Sequence, residues 1–433
     1  MVKVSTFERL LQNSFVIQHQ INKKKIINDP VLGFINIQSE LIFDLIEHPY
    51  FQRLRRIRQL GLSYLVFPGA NHSRFEHALG AVHLMRQAIA VLKMKGHEIT
   101  DEEAEAVTAA ILLHDIGHAP FSHVLENTLV KISHEQISLL LMEELNHCFD
   151  GKLNLAIQIF TNKYKKHFLH QLVSGQLDMD RLDYLNRDSF FTGVAEGTIG
   201  VERIIKMLNV WKDQLVVDEK GIYSIEKFLI SRRLMYWQVY LHKTVVSAEN
   251  LLINILHRAR ELSAAGADIY STPALQFFLA NAIGQNDFEK NRIVNGFPVL
   301  NWYTALDDND ISIALKVWQT HPDPVLSKLS QSLMNRKLFK IILSTTPVEP
   351  ELIARVKTEI LSQITENKQH VPYFLMTGEI TNKAYNKHNE KILVLDKSGN
   401  TKDMEQASDI NLLALTKTVR KYFVCYPKEL VIN

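Results

Sequence analysis

The run Ile111-Leu112-Leu113-His114-Asp115-Ile116-Gly117-His118 constrains this chain most, because an apolar helical segment ends there in an imidazole and a carboxylate on adjacent residues. Such a pair offers one borderline and one hard donor to the same divalent cation. Two donors cannot close a metal site. Candidates for the others are His77, in Arg74-Phe75-Glu76-His77, and Asp180, in Asp178-Met179-Asp180-Arg181-Leu182-Asp183-Tyr184. A lone His-Asp pair says little in a chain with 18 histidines and 47 acidic residues. Taken singly, His114 would more often be a core or capping histidine and Asp180 a surface carboxylate. The stretch Leu113 to His123 reverses those odds, since it holds His114, His118 and His123 together with Gly117 and Pro120. Glycine and proline interrupt a purely structural helix. The pattern predicts a helix that stops after Leu113 to expose polar side chains.

At 433 residues the chain has room for one large domain with an appended lobe, or for two domains. Its 46% apolar and 22% charged residues are ordinary for a soluble globular protein. A net charge of +2 gives no global argument for nucleic acid, although the local cluster Arg53, Arg55, Arg56 and Arg58 could serve small anions. Two cysteines, Cys148 and Cys425, cannot build a disulfide framework and fit a reducing compartment. No apolar leader and no run of roughly 18 uncharged apolar residues is present, so a cytoplasmic protein without membrane spans is expected.

Lys25 to Ile37 reads as two short strands around an Asp-Pro and Gly turn. From about residue 39 to about 263 the apolar periodicity is mostly helical, as in Ala106, Ala109, Ala110 and Leu113, interrupted by a small hairpin around Leu215 to Ile222. Beyond Pro273 the pattern predicts helix to about residue 345. The tail offers strands at Tyr373 to Met376, Lys391 to Leu395 and Tyr422 to Tyr426. The expected division is an N-terminal segment with a hairpin (1–38), a catalytic core (39–263), a helical extension (264–345) and a small α+β C-terminal lobe (346–433). The fold class is therefore mainly α.

A cation held by two imidazoles and two carboxylates keeps positions open for water and a phosphate oxygen, so hydrolysis of a phosphate ester is its natural chemistry. His118, His123 and His134-Glu135 follow closely in sequence and can donate protons or orient ligands. Arg74 and Arg181, tied by sequence to two of the proposed ligands, are candidates for binding the rest of a polyphosphate, with Arg232 as a weaker one.

The chain resembles the HD-domain metal-dependent phosphohydrolases, whose ligand order is His, His-Asp, Asp. Phe51 to Gly61, Val66 to His77, His114 to His123, His134-Glu135, Asp178 to Asp188, Tyr236 to Lys243 and Asn335 to Lys340 are similar to the deoxynucleoside triphosphate (dNTP) triphosphohydrolase branch. They are most like its animal members that carry a SAM domain, although none is expected ahead of the core here. The resemblance implies an HD helical core with His77, His114, Asp115 and Asp180 as metal ligands. It places Arg74, His118, His123, Arg181, Tyr184 and Arg232 around the triphosphate and His134 as proton donor. Glu126 stands where an Asp is usual. Gln59, Leu60 and Asp188 would hold the sugar, and Tyr240 would close the wall at its 2′ carbon. Lys25, Arg55, Arg203, Lys243 and Arg336 match basic positions of a regulatory nucleotide site between subunits, where Glu47 replaces a guanine-reading Asp.

The implied activity is release of deoxynucleoside and inorganic triphosphate from dNTP. It would use a divalent ion (Mn, Fe, Mg, Zn or Ni), Mg on the nucleotide phosphates, an activating nucleotide and a homo-oligomer, dimer or tetramer. Two other readings stand beside it: an HD phosphohydrolase of monophosphates or cyclic nucleotides, and a single-stranded nucleic-acid binder with a vestigial site.

Overall fold

The structure, a computed structural model, describes residues 25–121, 123–126, 128–382, 385 and 391–432. The chain enters through the expected hairpin, β1 (Lys25–Asp29) against β2 (Gly33–Ile37), antiparallel with Lys25 opposite Ile37. Asp29 closes its turn by accepting from the amides of Val31 and Leu32, and Gly33 takes a φ of +76° there. A short helix, α1 (Glu40–Glu47), follows.

Three helices position the site. Helix α2 (Arg74–Met94) starts from a capping box between Ser73 and Glu76. α3 (Asp101–Leu113) is capped by Thr100 and Glu103 and ends, as the sequence predicts, at Leu113. α2 packs against α3 and against the later helix Met179–Thr192; Ala78, Ala81, Ala106, Ala109 and Ala110 are buried on α2 and α3, and Gly80 faces Asp183 and Arg187 of the later helix. Between them in sequence lies α4 (His134–Cys148), capped by Ser133. The helix Met179–Thr192, α5, is capped by Asp178, which accepts from the Arg181 amide at 2.7 Å.

Downstream, the expected hairpin lies a few residues earlier than the sequence suggested. It runs over β3 (Leu208–Trp211) and β4 (Gln214–Asp218), because Lys212 and Asp213 adopt the left-handed conformation that turns it, and residues 219–221 already wind toward the next helix. That helix, α6 (Ile222–Met235), widens into a looser turn over Tyr236–Tyr240 before α7 (Lys243–Ala264). The stretch 273–345 is not continuously helical, contrary to expectation. A small hairpin pairs Ile293–Val294 with Phe297–Pro298 around left-handed Asn295 and Gly296, and β5 (Lys340–Ser344) is a strand. In the tail, Tyr373 belongs to a helical turn, Val371–Phe374, and the strand begins only at Met376.

Two sheets organise the C-terminal part. β6 (Met376–Asn382) and β5 flank β9 (Val419–Tyr426), all antiparallel. β7 (Leu393–Leu395) joins β4 in parallel, Leu393 opposite Val216, and carries β8 (Thr401–Asp403) on its other edge. One continuous apolar cluster runs from Ile35 to Leu430. The fold is mainly α, a helical core with small sheets in the C-terminal region. Among the described residues no helix is long and apolar enough to cross a membrane.

The basic cluster divides between a buried arginine and three that are at least partly exposed. Arg53 is buried, donates to the carbonyls of Leu306 (2.9 Å) and Ile116 (3.5 Å), and lies over the ring of Tyr303. Arg56 pairs with Asp307 and Arg58 with Asp308. Neither Arg53 nor Arg55 has a carboxylate among the recorded ion pairs; Arg55 is exposed, donates to Gln52 Oε1 at 2.8 Å and covers the ring of Phe75.

Candidate metal centre and its surroundings

His77 lies one turn into α2, His114 and Asp115 directly after α3, and Asp180 in the first turn of α5. Their donor atoms converge. Nε2 of His77 is 3.2 Å from Asp180 Oδ1 and 3.9 Å from Asp115 Oδ2, and Nε2 of His114 is 3.4 Å from Asp115 Oδ1 and 3.5 Å from Asp180 Oδ1. The side chains are turned inward rather than exposed, with relative accessibilities of 0% for His77, 9% for His114, 11% for Asp115 and 24% for Asp180.

Both opposite ring nitrogens are engaged: His77 Nδ1 with Asp183 Oδ2 at 2.8 Å, and His114 Nδ1 with the Ile111 carbonyl at 2.6 Å. Those partners place the protons on Nδ1 and aim the Nε2 lone pairs at the two carboxylates. Neither buried Nε2 makes a hydrogen bond of good geometry. Burial alone would pull the His77 imidazole down, but Asp180 and Asp183 more than offset it and hold it up to about 10. The same field attracts a divalent cation, and two imidazoles with two carboxylates form a donor set that suits one. The residues present therefore fit a metal.

A second layer fixes the first. Asp183, one turn beyond Asp180, is held by Arg187 at 2.9 and 3.0 Å, and Arg187 reaches Asp29 of β1 at 2.7 Å, all three buried. Gly80 makes room for this chain, since a Cβ there would lie 2.0 Å from Asp183 Oδ1 and 2.3 Å from Arg187 Nη2. Asp183 and Arg187 were not singled out from the sequence, although their spacing after Asp180 puts them on successive turns of one helix.

Arg74 donates to Asp115, and His118 Nε2 is 3.2 Å from Asp115 Oδ1. Burial, followed by the charge of Arg74, pushes His118 down to about 3, so it is a neutral ring. It stacks on His134, centroids 3.8 Å apart, whose Nδ1 is 2.7 Å from Glu126 Oε1. The stack depends on Gly117, where a Cβ would meet the Ser138 amide at 2.3 Å and the His134 carbonyl at 2.4 Å. His123 begins the short helix His123–Glu126, and its side chain lies outside the described residues. Arg181 is within 3.3 Å of Asp178 and 3.9 Å of Asp180. Arg232 is buried against Gln176 (3.3 Å) and near the ring of Tyr236.

Asp188 accepts from the Tyr240 hydroxyl at 2.7 Å, and Tyr240 meets Tyr184 edge-on. Gln59 Oε1 is buried without a hydrogen-bond partner, and Leu60 packs half-buried on the core. Lys25, Arg55, Arg203, Lys243 and Arg336 are all exposed, and no recorded contact joins any two of them. Arg336 is held at a φ of +54° with its guanidinium on the Leu65 carbonyl at 2.7 Å.

A buried two-histidine, two-aspartate centre ringed by arginines and imidazoles defines the class of metal-dependent phosphohydrolases. Residues 74–187 match the HD domain and residues 199–270 the HD associated region. The chain is 32% identical to the uncharacterized protein YwfO of Bacillus subtilis over 95% of its own length and 94% of that protein's. A crystal structure of a phosphohydrolase from Bacteroides thetaiotaomicron is 54% identical, covers 93% of this chain and 99% of its own, and superposes with a TM-score of 0.89. Human deoxynucleoside triphosphate triphosphohydrolase SAMHD1 is 28% identical over 80% of this chain, which spans 59% of the human protein. The chain belongs to the HD-domain phosphohydrolase family.

Proposed function

We propose that the protein hydrolyses dNTPs to deoxynucleoside and inorganic triphosphate at the cluster of His77, His114, Asp115 and Asp180. The observation that carries this reading is the company the cluster keeps. Arg74, Arg181 and Arg232 supply more positive charge than a monophosphate needs, while Asp188, Tyr240 and Gln59 offer polar groups suited to a sugar. A divalent ion held by the four ligands would supply Lewis-acid neutralisation of phosphate charge and lower the pKa of water.

The chain's own residues do the rest. The arginines bind and orient the triphosphate. Glu126 accepts from Nδ1 of His134, whose Nε2, 3.3 Å from Glu135 Oε1, is proposed to deliver the proton that the departing 5′-oxygen requires. His118, kept neutral, can donate a hydrogen bond without adding charge; His123 is proposed to line the same region. Tyr184, Leu60 and Tyr240 shape the pocket, and a wall at the 2′ carbon excludes ribose. We further propose, from the resemblance, that Lys25, Arg55, Arg203, Lys243 and Arg336 meet across subunits around a nucleotide that favours an oligomer, and that the protein works in the cytoplasm.

The test is product analysis with each purified dNTP and Mn²⁺ or Mg²⁺. Equal amounts of inorganic triphosphate and deoxynucleoside support the reading. Phosphate release from monophosphates, or opening of a cyclic nucleotide, without triphosphate from any dNTP would replace it with another HD activity, and no product at all would leave a vestigial site. Light scattering with a second nucleotide tests the oligomer: an unchanged mass and hyperbolic kinetics would remove the regulatory part alone.

A further inference from the structure

His72 sits just before α2, where the backbone of residues 57–59 runs against residues 72–74. Its carbonyl accepts from the Gln59 amide at 3.0 Å. Its ring, with no accessible side-chain surface, places Nε2 2.7 Å from Asp188 Oδ1 across 116 residues of sequence. The other carboxylate oxygen of Asp188 takes the Tyr240 hydroxyl at 2.7 Å. One residue thus fixes Gln59 through its backbone, Asp188 through its ring, and Tyr240 through Asp188.

The ring is itself clamped. It stacks on Phe191 at 4.5 Å with planes 15° apart. Gly69 allows the preceding loop to press on that residue, since a Cβ there would lie 2.4 Å from the Phe191 carbonyl. A buried carboxylate accepts, so Nε2 carries a proton, and among the described residues Nδ1 has no hydrogen-bond partner. The side-chain hydrogen bond that the ring makes is the one from Nε2 to Asp188.

We propose that His72 is a positioning residue for sugar selection: it does not touch substrate but holds Asp188, and through it Tyr240, in the one orientation that accepts a 3′-hydroxyl and closes the 2′ side. This inference rests on the dNTP reading above. Without the His72 donor, Asp188 turns toward whatever donor remains and the Tyr240 hydroxyl follows it. The pocket then loses its hold on the deoxyribose and its exclusion of ribose together.

The experiment compares His72→Phe, which keeps an aromatic ring on Phe191 but removes the donor, with His72→Gln, whose Nε2 can still reach Asp188. For each variant, kcat and KM are measured on dGTP and GTP, with metal content and melting temperature alongside. For His72→Phe, KM for dGTP should rise roughly tenfold to a hundredfold and the dGTP preference over GTP should fall by at least tenfold, as the loss of a hydrogen bond to a charged group implies. Metal content should match wild type, and His72→Gln should recover most of the preference. If His72→Phe does not fold, His72→Asn, whose amide stops short of Asp188, takes its place. An active enzyme in which the donor-less variant keeps both KM and the dGTP preference would overturn the inference alone. Wild-type protein that releases no triphosphate from any dNTP would overturn the functional reading and this inference with it.

Discussion

Gly80→Ala is the smallest change that should dismantle the support of the metal centre from a distance. The added methyl would sit 2.0 Å from Asp183 Oδ1, 2.3 Å from Arg187 Nη2 and 2.7 Å from Asp183 Cγ, closer than non-bonded atoms can approach. α2 cannot withdraw, because it is buried against both α3 and α5. Asp183 must therefore leave its place, and it cannot do so without abandoning both His77 Nδ1 and Arg187. Breaking a buried ion pair costs on the order of 3–5 kcal/mol, and overpacking alone about 1–3 kcal/mol. A destabilisation of about 3–5 kcal/mol is expected, together with weaker metal retention, because His77 loses the carboxylate that sets its tautomer. Gly96→Ala serves as the control. Gly96 has a φ of +89° with nothing within 4 Å of its Cβ position, so only backbone strain of about 1 kcal/mol is expected. Urea unfolding and elemental analysis after dialysis read both effects. A Gly80→Ala protein with the unfolding midpoint and metal content of Gly96→Ala would refute the reasoning.

Asp180→Ala should lower metal content below half of wild type and abolish turnover while leaving the fold largely intact, because it removes the carboxylate that faces both imidazoles; full metal with full rate would exclude Asp180 as a ligand. Gly117→Ala should cut turnover at least tenfold with metal content kept, since the methyl collides with backbone at the start of α4 and displaces His134; steady-state kinetics at saturating dNTP and elemental analysis check it. Burial pulls His48 down to about 4 from the usual 6.5, so between those values the unfolded chain takes up a proton that the folded chain refuses. The stability contributed by neutral His48 is present above pH 6.5 and is lost as pH falls toward 4, on the order of 1–3 kcal/mol. Urea midpoints at pH 7 and pH 5 should therefore fall further for wild type than for His48→Asn, and equal losses would count against this assignment.

What was legible in the chain divides by the range of the interaction that decides it. The end of α3 at Leu113 was visible because glycine and proline act locally, and the first hairpin because its turn chemistry lies within five residues of each strand. The four donors His77, His114, Asp115 and Asp180 were visible through their order, since each begins or ends a helix whose apolar pattern can be read independently. The ion pairs of Arg56 and Arg58 were not visible, because a cluster of like charges looks the same whether it faces solvent or is partnered from elsewhere. Here Asp307 and Asp308 lie some 250 residues away. The parallel joining of β7 to β4 and the grip of His72 on Asp188 belong to the same class, as neither strand nor ring carries a local mark of its partner. Asp183 falls between these cases. Its spacing from Asp180 and Arg187 was in plain view, but that spacing becomes informative only once His77 is known to approach from another helix. Single-sequence reading therefore finds candidate ligands more readily than the residues that would aim them, because a ligand must have a chemical type whereas its support needs only a position.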